Sequence, residues 1–231
     1  MKASAFAVRV FTLALTLLLG ACGSAPPAAH WQEDAAGLMK SYQADWLEGH
    51  DALARREFEQ ALKATAATGE PARMARLYLV QCGLRRAALD WGACGDYARW
   101  AGKTPDPAEA AYARFLQGDW AGLEGAPLPP RYAALAALAE APAERVNAAL
   151  AAMADPLSKL IAASVALKRG QGDARTLQLA SAAAAQQGWR RPLLAWLKLR
   201  LAAAKGGKDT AEENMLLQRI QLVESSFSAK E

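Results

Sequence analysis

Gly49-His50-Asp51-Ala52-Leu53-Ala54-Arg55-Arg56-Glu57-Phe58-Glu59-Gln60-Ala61 is the stretch on which the fold can be read. Gly49 punctuates the chain, and a helix is expected from Asp51 to about Ala67. Gly49, Ala54, Phe58 and Ala61 follow the spacing Gly-x4-Ala-x3-Phe-x2-Ala. That spacing has a packing reason: small alanines let helices approach closely, and an aromatic fills the gap between successive helix pairs.

Helices are expected on both sides of this stretch. One precedes it, from Trp31 to Leu47. Another opens at Glu70-Pro71, with proline in the first turn, and runs to about Leu89. The apolar residues of this third helix (Met74, Leu77, Tyr78, Leu79, Val80, Cys82, Leu84) go nearly all the way round. Such a helix is buried on more than one side, so it is placed at the centre of the N-terminal half. Its arginines, Arg73, Arg76, Arg85 and Arg86, are read as snorkelling at the edges, stems packed and heads in water. An anion site is the alternative.

The spacing from Gly49 to Ala61 resembles the turn and second helix of a tetratricopeptide (TPR) repeat. The first-helix signature Trp-x2-Leu-Gly-x2-Tyr is absent, although Leu38 and Tyr42 stand where they can serve. Gly118-Asp119-Trp120 resembles the same turn, and Gly172 and Gly206-Gly207 fall about one repeat period apart. The resemblance implies an all-α fold over residues 31–228, a TPR-like array of antiparallel helix pairs forming an α-solenoid.

Composition agrees with helix throughout. Alanine and leucine, strong helix formers, dominate after residue 30, and the alternating β-branched runs that mark strands are missing. Asp106-Pro107-Ala108-Glu109 is a helix start, with Asp as N-cap and Pro at the first position. Pro127, Pro129 and Pro130 form an irregular connector. Beyond it, helices are expected over Pro130–Glu140, Pro142–Ala154, Pro156–Arg169, from Asp173 to near Gln187, and from Trp189 to near Lys205. Gly206-Gly207 breaks the last of these. On the final helix Leu216, Ile220, Val223 and Phe227 form a single-face stripe, expected to dock on the preceding helix and close the array.

The N-terminus is of another kind. Lys2 and Arg9 precede an apolar run from Val10 to Leu19. A charged start, about ten apolar residues and small residues before a cut read as a secretory signal. The run is too short to span a bilayer, which takes about 20 residues. Leu19-Gly20-Ala21-Cys22 resembles the lipobox of bacterial lipoproteins; the alternative is an ordinary signal with a chance cysteine. In that family the cysteine sulfur receives a diacylglycerol, the chain is cut before the cysteine, and the new amino terminus is acylated. The resemblance implies residues 1–21 as the leader, a covalent lipid on Cys22, and 22–30 as the tether. Gly23 rather than Asp after the cysteine implies the outer membrane, on its periplasmic face. Multiple acyl chains anchor firmly, and Gly23–His30 extends only about 26 Å, so the folded part stays near the membrane.

An exported protein meets an oxidising compartment. With Cys22 assigned to lipid, Cys82 and Cys94 allow one bridge, which would close a 13-residue loop worth about 3 kcal/mol. Two buried free thiols are the alternative. A zinc site would need a second cysteine pair or a nearby histidine. Without Lys2 and Arg9 the chain carries 25 basic against 23 acidic residues, which makes no case for nucleic acid.

No Gly-x-Ser-x-Gly, phosphate loop or His-Glu-x-x-His occurs, and the two histidines, His30 and His50, lack metal-ligand spacing. Glu57 and Glu59 are read as solvated helix faces. The expectation is therefore a binding or scaffold protein rather than an enzyme. It would have an envelope protein partner and no cofactor beyond the Cys22 lipid. A regulator of a peptidoglycan enzyme and a small-ligand or lipid carrier are the alternatives. Among seven tryptophans, Trp100 and Trp120 flank the irregular middle and are the candidates for partner binding.

Overall fold

The computed structural model describes residues 30–228 except 121 and 124. The leader, Cys22 and most of the tether lie outside the described residues. Eleven helices are described: α1 His30–Glu48, α2 Asp51–Ala66, α3 Pro71–Ala87, α4 Gly95–Ala101, α5 Pro107–Leu116, α6 Pro130–Ala136, α7 Ala143–Ala152, α8 Pro156–Lys168, α9 Ala174–Gln186, α10 Arg190–Gly207 and α11 Thr210–Ser228. No strand occurs among the described residues. The chain is all-α.

Local chemistry sets the starts. Proline opens α3, α5, α6 and α8, where its missing N–H has no helical partner to lose. The Asp106 carboxylate accepts from the Ala108 and Glu109 amides. Asp155 caps α8 through the Ser158 amide. Asp173 and Thr176 form a reciprocal capping box on α9. Two stops depart from expectation. The α6 helix ends at Ala136, four residues early, as the chain tightens into turns. The α10 helix continues through Gly206-Gly207 and stops at Lys208, whose left-handed backbone (φ 58°) lets the Lys208 and Asp209 amides reach the Lys205 and Ala204 carbonyls. Glycine weakens a helix interior by about 1 kcal/mol, which does not break a helix packed along its length on α11.

Two helices form the middle. Along α8, every residue from Leu160 to Ala166 is buried, and on α3 burial runs over several sides. They pack on each other, α3 also touching α1, α2, α4 and α5, and α8 touching α5, α6, α7 and α9. Gly83 lies at this crossing; a Cβ there would press on the Tyr112 hydroxyl at 3.1 Å and on Ile161 at 3.6 Å. Helix three is thus central to the whole molecule, not only to its first half. From α7 onward each helix packs on the next, and α7 also meets α9. Two packings join distant parts of the chain: α3 on α8, and α10 on α1. Trp196, fully buried on α10, donates its indole N–H to the Ala87 carbonyl at the end of α3 (2.9 Å).

The stripe on α11 docks on α10 as expected: Leu216 and Ile220 are buried, and they pack with Leu197 and Ala204. Phe227 continues past α10 to the α1–α2 turn.

Candidate binding groove where the chain closes

The α1–α2 turn, the start of α10 and the end of α11 meet at one place. Gly49 turns the chain with φ of 87°, and the Phe227 ring lies where its Cβ would be. His50 follows. Its Nδ1 is 2.8 Å from the Asp45 carboxylate, and its Nε2 is 2.8 Å from an Arg190 guanidinium nitrogen. A guanidinium only donates, so Nε2 accepts and Nδ1–H donates to Asp45. Arg190 also donates to the Ser226 carbonyl at 2.6 Å and stands 4.8 Å from the centre of the Phe227 ring. Arg191 donates to the Trp46 carbonyl at 2.6 Å, covers the Trp46 ring at 4.7 Å and pairs with Asp51.

Asp45 has a second neighbour, the acidic Glu57 on α2. One Glu57 carboxylate oxygen is buried with no hydrogen-bond partner. Burial, then the Asp45 charge, pushes the Glu57 pKa up. A hydrogen-bonded line therefore runs from Glu57 through Asp45, His50 and Arg190 to the α11 backbone. Asp45 orients His50 as a carboxylate orients a catalytic imidazole, but the other ring nitrogen is already taken by Arg190. The arrangement clasps the ends of the fold together.

Beside this clasp a groove of about 400 Å³ opens between the α1–α2 turn and α10. Trp46, Leu194, Ala195 and Phe227 supply its apolar floor, and Asp90, Arg191 and Lys198 its charged rim. A second hollow of about 520 Å³, lined by His50, Leu53, Arg55 and Arg190, shares Gly49, Asp51 and Phe227 with it. Among the described residues no group of three His, Cys, Asp or Glu side chains can hold a metal ion. No described helix is long and apolar enough to cross a membrane.

The residues singled out in the sequence fall as follows. Ala54, Phe58 and Ala61 are buried; Phe58 meets Tyr42 of α1 at 4.7 Å and Tyr78 of α3 at 5.6 Å between ring centres. Gly49 serves the turn and the Phe227 contact. Cys82 and Cys94 are bridged, Cα–Cα 5.6 Å, because the chain folds back after α3 through Leu89 in a left-handed conformation (φ 61°). Trp100 is half-buried, with Arg99 and Lys103 over its ring. Trp120 is a correction: it is 2 % exposed, stacked on Phe115 and covered by Arg169 at 4.4 Å. The irregular segment folds inward on Trp120, Leu123 and Leu128, so Trp120 has no face for a partner.

Arg86 is a second correction. It is not a snorkelling residue but 2 % exposed, donating to the carbonyls of Leu116, Gly92 and Asp90. Arg73, Arg76 and Arg85 do sit at the edges, paired with Glu70, Glu109 and Asp90. Sequence reasoning missed the groove. Its only local signals were the adjacent Arg190 and Arg191 and the terminal position of Phe227 in its stripe. No protein-family model, curated protein or solved structure matches this chain.

Proposed function

We propose that the protein is a lipid-anchored lipoprotein of the bacterial outer membrane, on its periplasmic face, whose helical body binds a segment of an envelope partner protein. The observation that carries the binding role is the groove at the closure. Its floor is aromatic and aliphatic, and its rim bears both signs of charge. Aromatic and aliphatic pockets ringed by polar groups are where protein segments anchor. The body itself we read as TPR-like in local packing, with Gly49, Ala54, Phe58 and Ala61 joining the first pair to α3. The anchor rests on Leu19-Gly20-Ala21-Cys22 and the apolar run before it.

The test is crosslinking in intact cells with capture and mass spectrometry, using wild type and Ala195→Arg, which fills the groove floor. One dominant envelope protein, lost with Ala195→Arg, is the expected result. Equal capture by both forms places the partner elsewhere. Peptidoglycan fragments or a small molecule without a protein partner move the reading to a regulator of cell-wall enzymes or a carrier. Cys22→Ser is expected to release the chain from membranes; retention there removes the anchor.

A further inference from the structure

On the other side of the α3–α4 turn from the groove lies a pocket of opposite character. It encloses about 370 Å³ beside Cys94. Trp91 forms one wall. Arg86 and Lys168 both stand over its ring, 4.8 Å and 5.4 Å from the centre. Gln117 contributes an amide, while Gly95 leaves space, a Cβ there meeting nothing within 4 Å. No carboxylate lines it.

The two cations here lack an ion-pair partner among the described residues; Asp90 acts on Arg86 only at longer range, its carboxylate being paired with Arg85. Arg86 is buried, and among the described residues no carboxylate lies within ion-pair distance of it or of Lys168. Asp90 offers Arg86 its backbone carbonyl, and its carboxylate is held by Arg85 at 2.8 Å and by the Gly92 amide at 2.9 Å. Arg86 also donates to the Cys94 sulfur at 3.2 Å. Its hydrogen bonds are thus largely met while no carboxylate pairs with it; burial, then Arg85, lowers its pKa, and the more distant Asp90 charge opposes them. A buried charge with no ion-pair partner is unfavourable, and an anion brought into the pocket is attracted by it and by Lys168. Lys168 is exposed at the pocket, its ammonium over the Trp91 ring.

We infer that this pocket binds a small oxyanion, the carboxylate or phosphate of a small organic molecule. Lys168 donates to the anion directly, and the Gln117 amide completes the contact. Arg86 stays on its carbonyls and supplies field. The Trp91 edge and the space over Gly95 receive the body of the ligand. The site is separate from the groove and does not depend on the partner assigned to it.

The experiment is isothermal titration of the full chain, purified in detergent, with sodium phosphate and separately with sodium benzoate, at ionic strength held constant with sodium chloride. Saturable one-to-one binding of at least one probe is expected. Phosphate as the tighter probe assigns a phosphate ligand, and benzoate an aromatic carboxylate lying against Trp91. Lys168→Glu supplies an internal counter-charge and should weaken binding roughly tenfold or more, the range of one charge-assisted hydrogen bond. Gln117→Ala should weaken it less, and Lys63→Ala on the surface of α2 not at all. Both pocket substitutions are at exposed positions, and far-ultraviolet circular dichroism checks that the fold is kept. The proposal is overturned if neither probe binds below about 10 mM, or if Lys168→Glu binds as wild type does.

Discussion

At Gly49 the backbone conformation and a tertiary contact both demand glycine. A φ of 87° disfavours any side chain, and the Phe227 ring occupies the space a Cβ needs. Gly49→Ala should therefore lose about 2 kcal/mol or more in urea unfolding. In a Phe227→Ala background the ring is gone and only the backbone strain remains, so the loss should shrink by about half; an unchanged loss would mean that the ring contact contributes nothing. Glu57 makes the second prediction at this scale. Its raised pKa means that the fold favours the neutral acid. That stability is full below the unfolded pKa and disappears as pH rises through the folded one. Glu57→Gln keeps a neutral group that still donates to Asp45. It should stabilise the protein at pH 7 by about 0.5 kcal/mol, as expected for an incompletely buried charge pair, and give no gain at pH 4. Stability curves at the two pH values decide it.

Helix α3 shows how one element joins its neighbours. Its amphipathicity is weak because its solvent face is only a narrow stripe at Arg76 and Val80. Tyr78 looks to α2, Cys82 is tied to Cys94, Gly83 admits α5 and α8, and Arg86 caps the α5 carbonyl of Leu116 at 2.9 Å. Arg86→Met keeps the volume and removes the donors, leaving the Leu116, Gly92 and Asp90 carbonyls short of partners in a buried place. A cost of about 3 kcal/mol is expected. Arg86→Lys should not restore it, because an ammonium lacks the planar fork that reaches three carbonyls. The urea midpoints of both variants measure this; a shift smaller than about 1 kcal/mol would show water taking over the role.

For the whole molecule the question is cooperativity. An open repeat array unfolds from its ends, since each repeat touches only its neighbours. Here α10 packs on α1 and α3 on α8, and Arg190 and Arg191 hold the α1–α2 turn to the last two helices. Unfolding by urea should therefore be a single transition, with the same midpoint by circular dichroism and by tryptophan fluorescence. Arg190→Ala combined with Arg191→Ala should separate the two curves by freeing α10 and α11 from α1. Separate midpoints already in the wild type would count against closure as a stabilising feature.

Much of the local structure was legible in the sequence. Helix starts at Pro71, Asp106, Asp155 and Asp173 follow from caps and prolines that act within one turn. The pairing of Cys82 with Cys94 was the single bridge open to the chain once Cys22 was set aside. The α11 stripe announced its own docking face through its period. The candidate groove and the pocket beside Cys94 were not legible, because their residues come from distant helices and only packing brings them together: Trp46 with Arg191, Gly49 with Phe227, Trp91 with Lys168. Trp120 was misread for the same reason, since a glycine- and proline-rich segment reads as surface until its tryptophan and leucines are seen turned inward. The sequence by itself determined the helices and most of their starts, because caps and prolines act within one turn; it missed the stops of α6 and α10 and left the Cys82–Cys94 bridge undecided against two free thiols. Only the tertiary structure decided that α3 lies on α8 and α10 on α1. Alanine-rich helices that are apolar on several sides name no neighbour, and the choice falls to close packing over the whole chain.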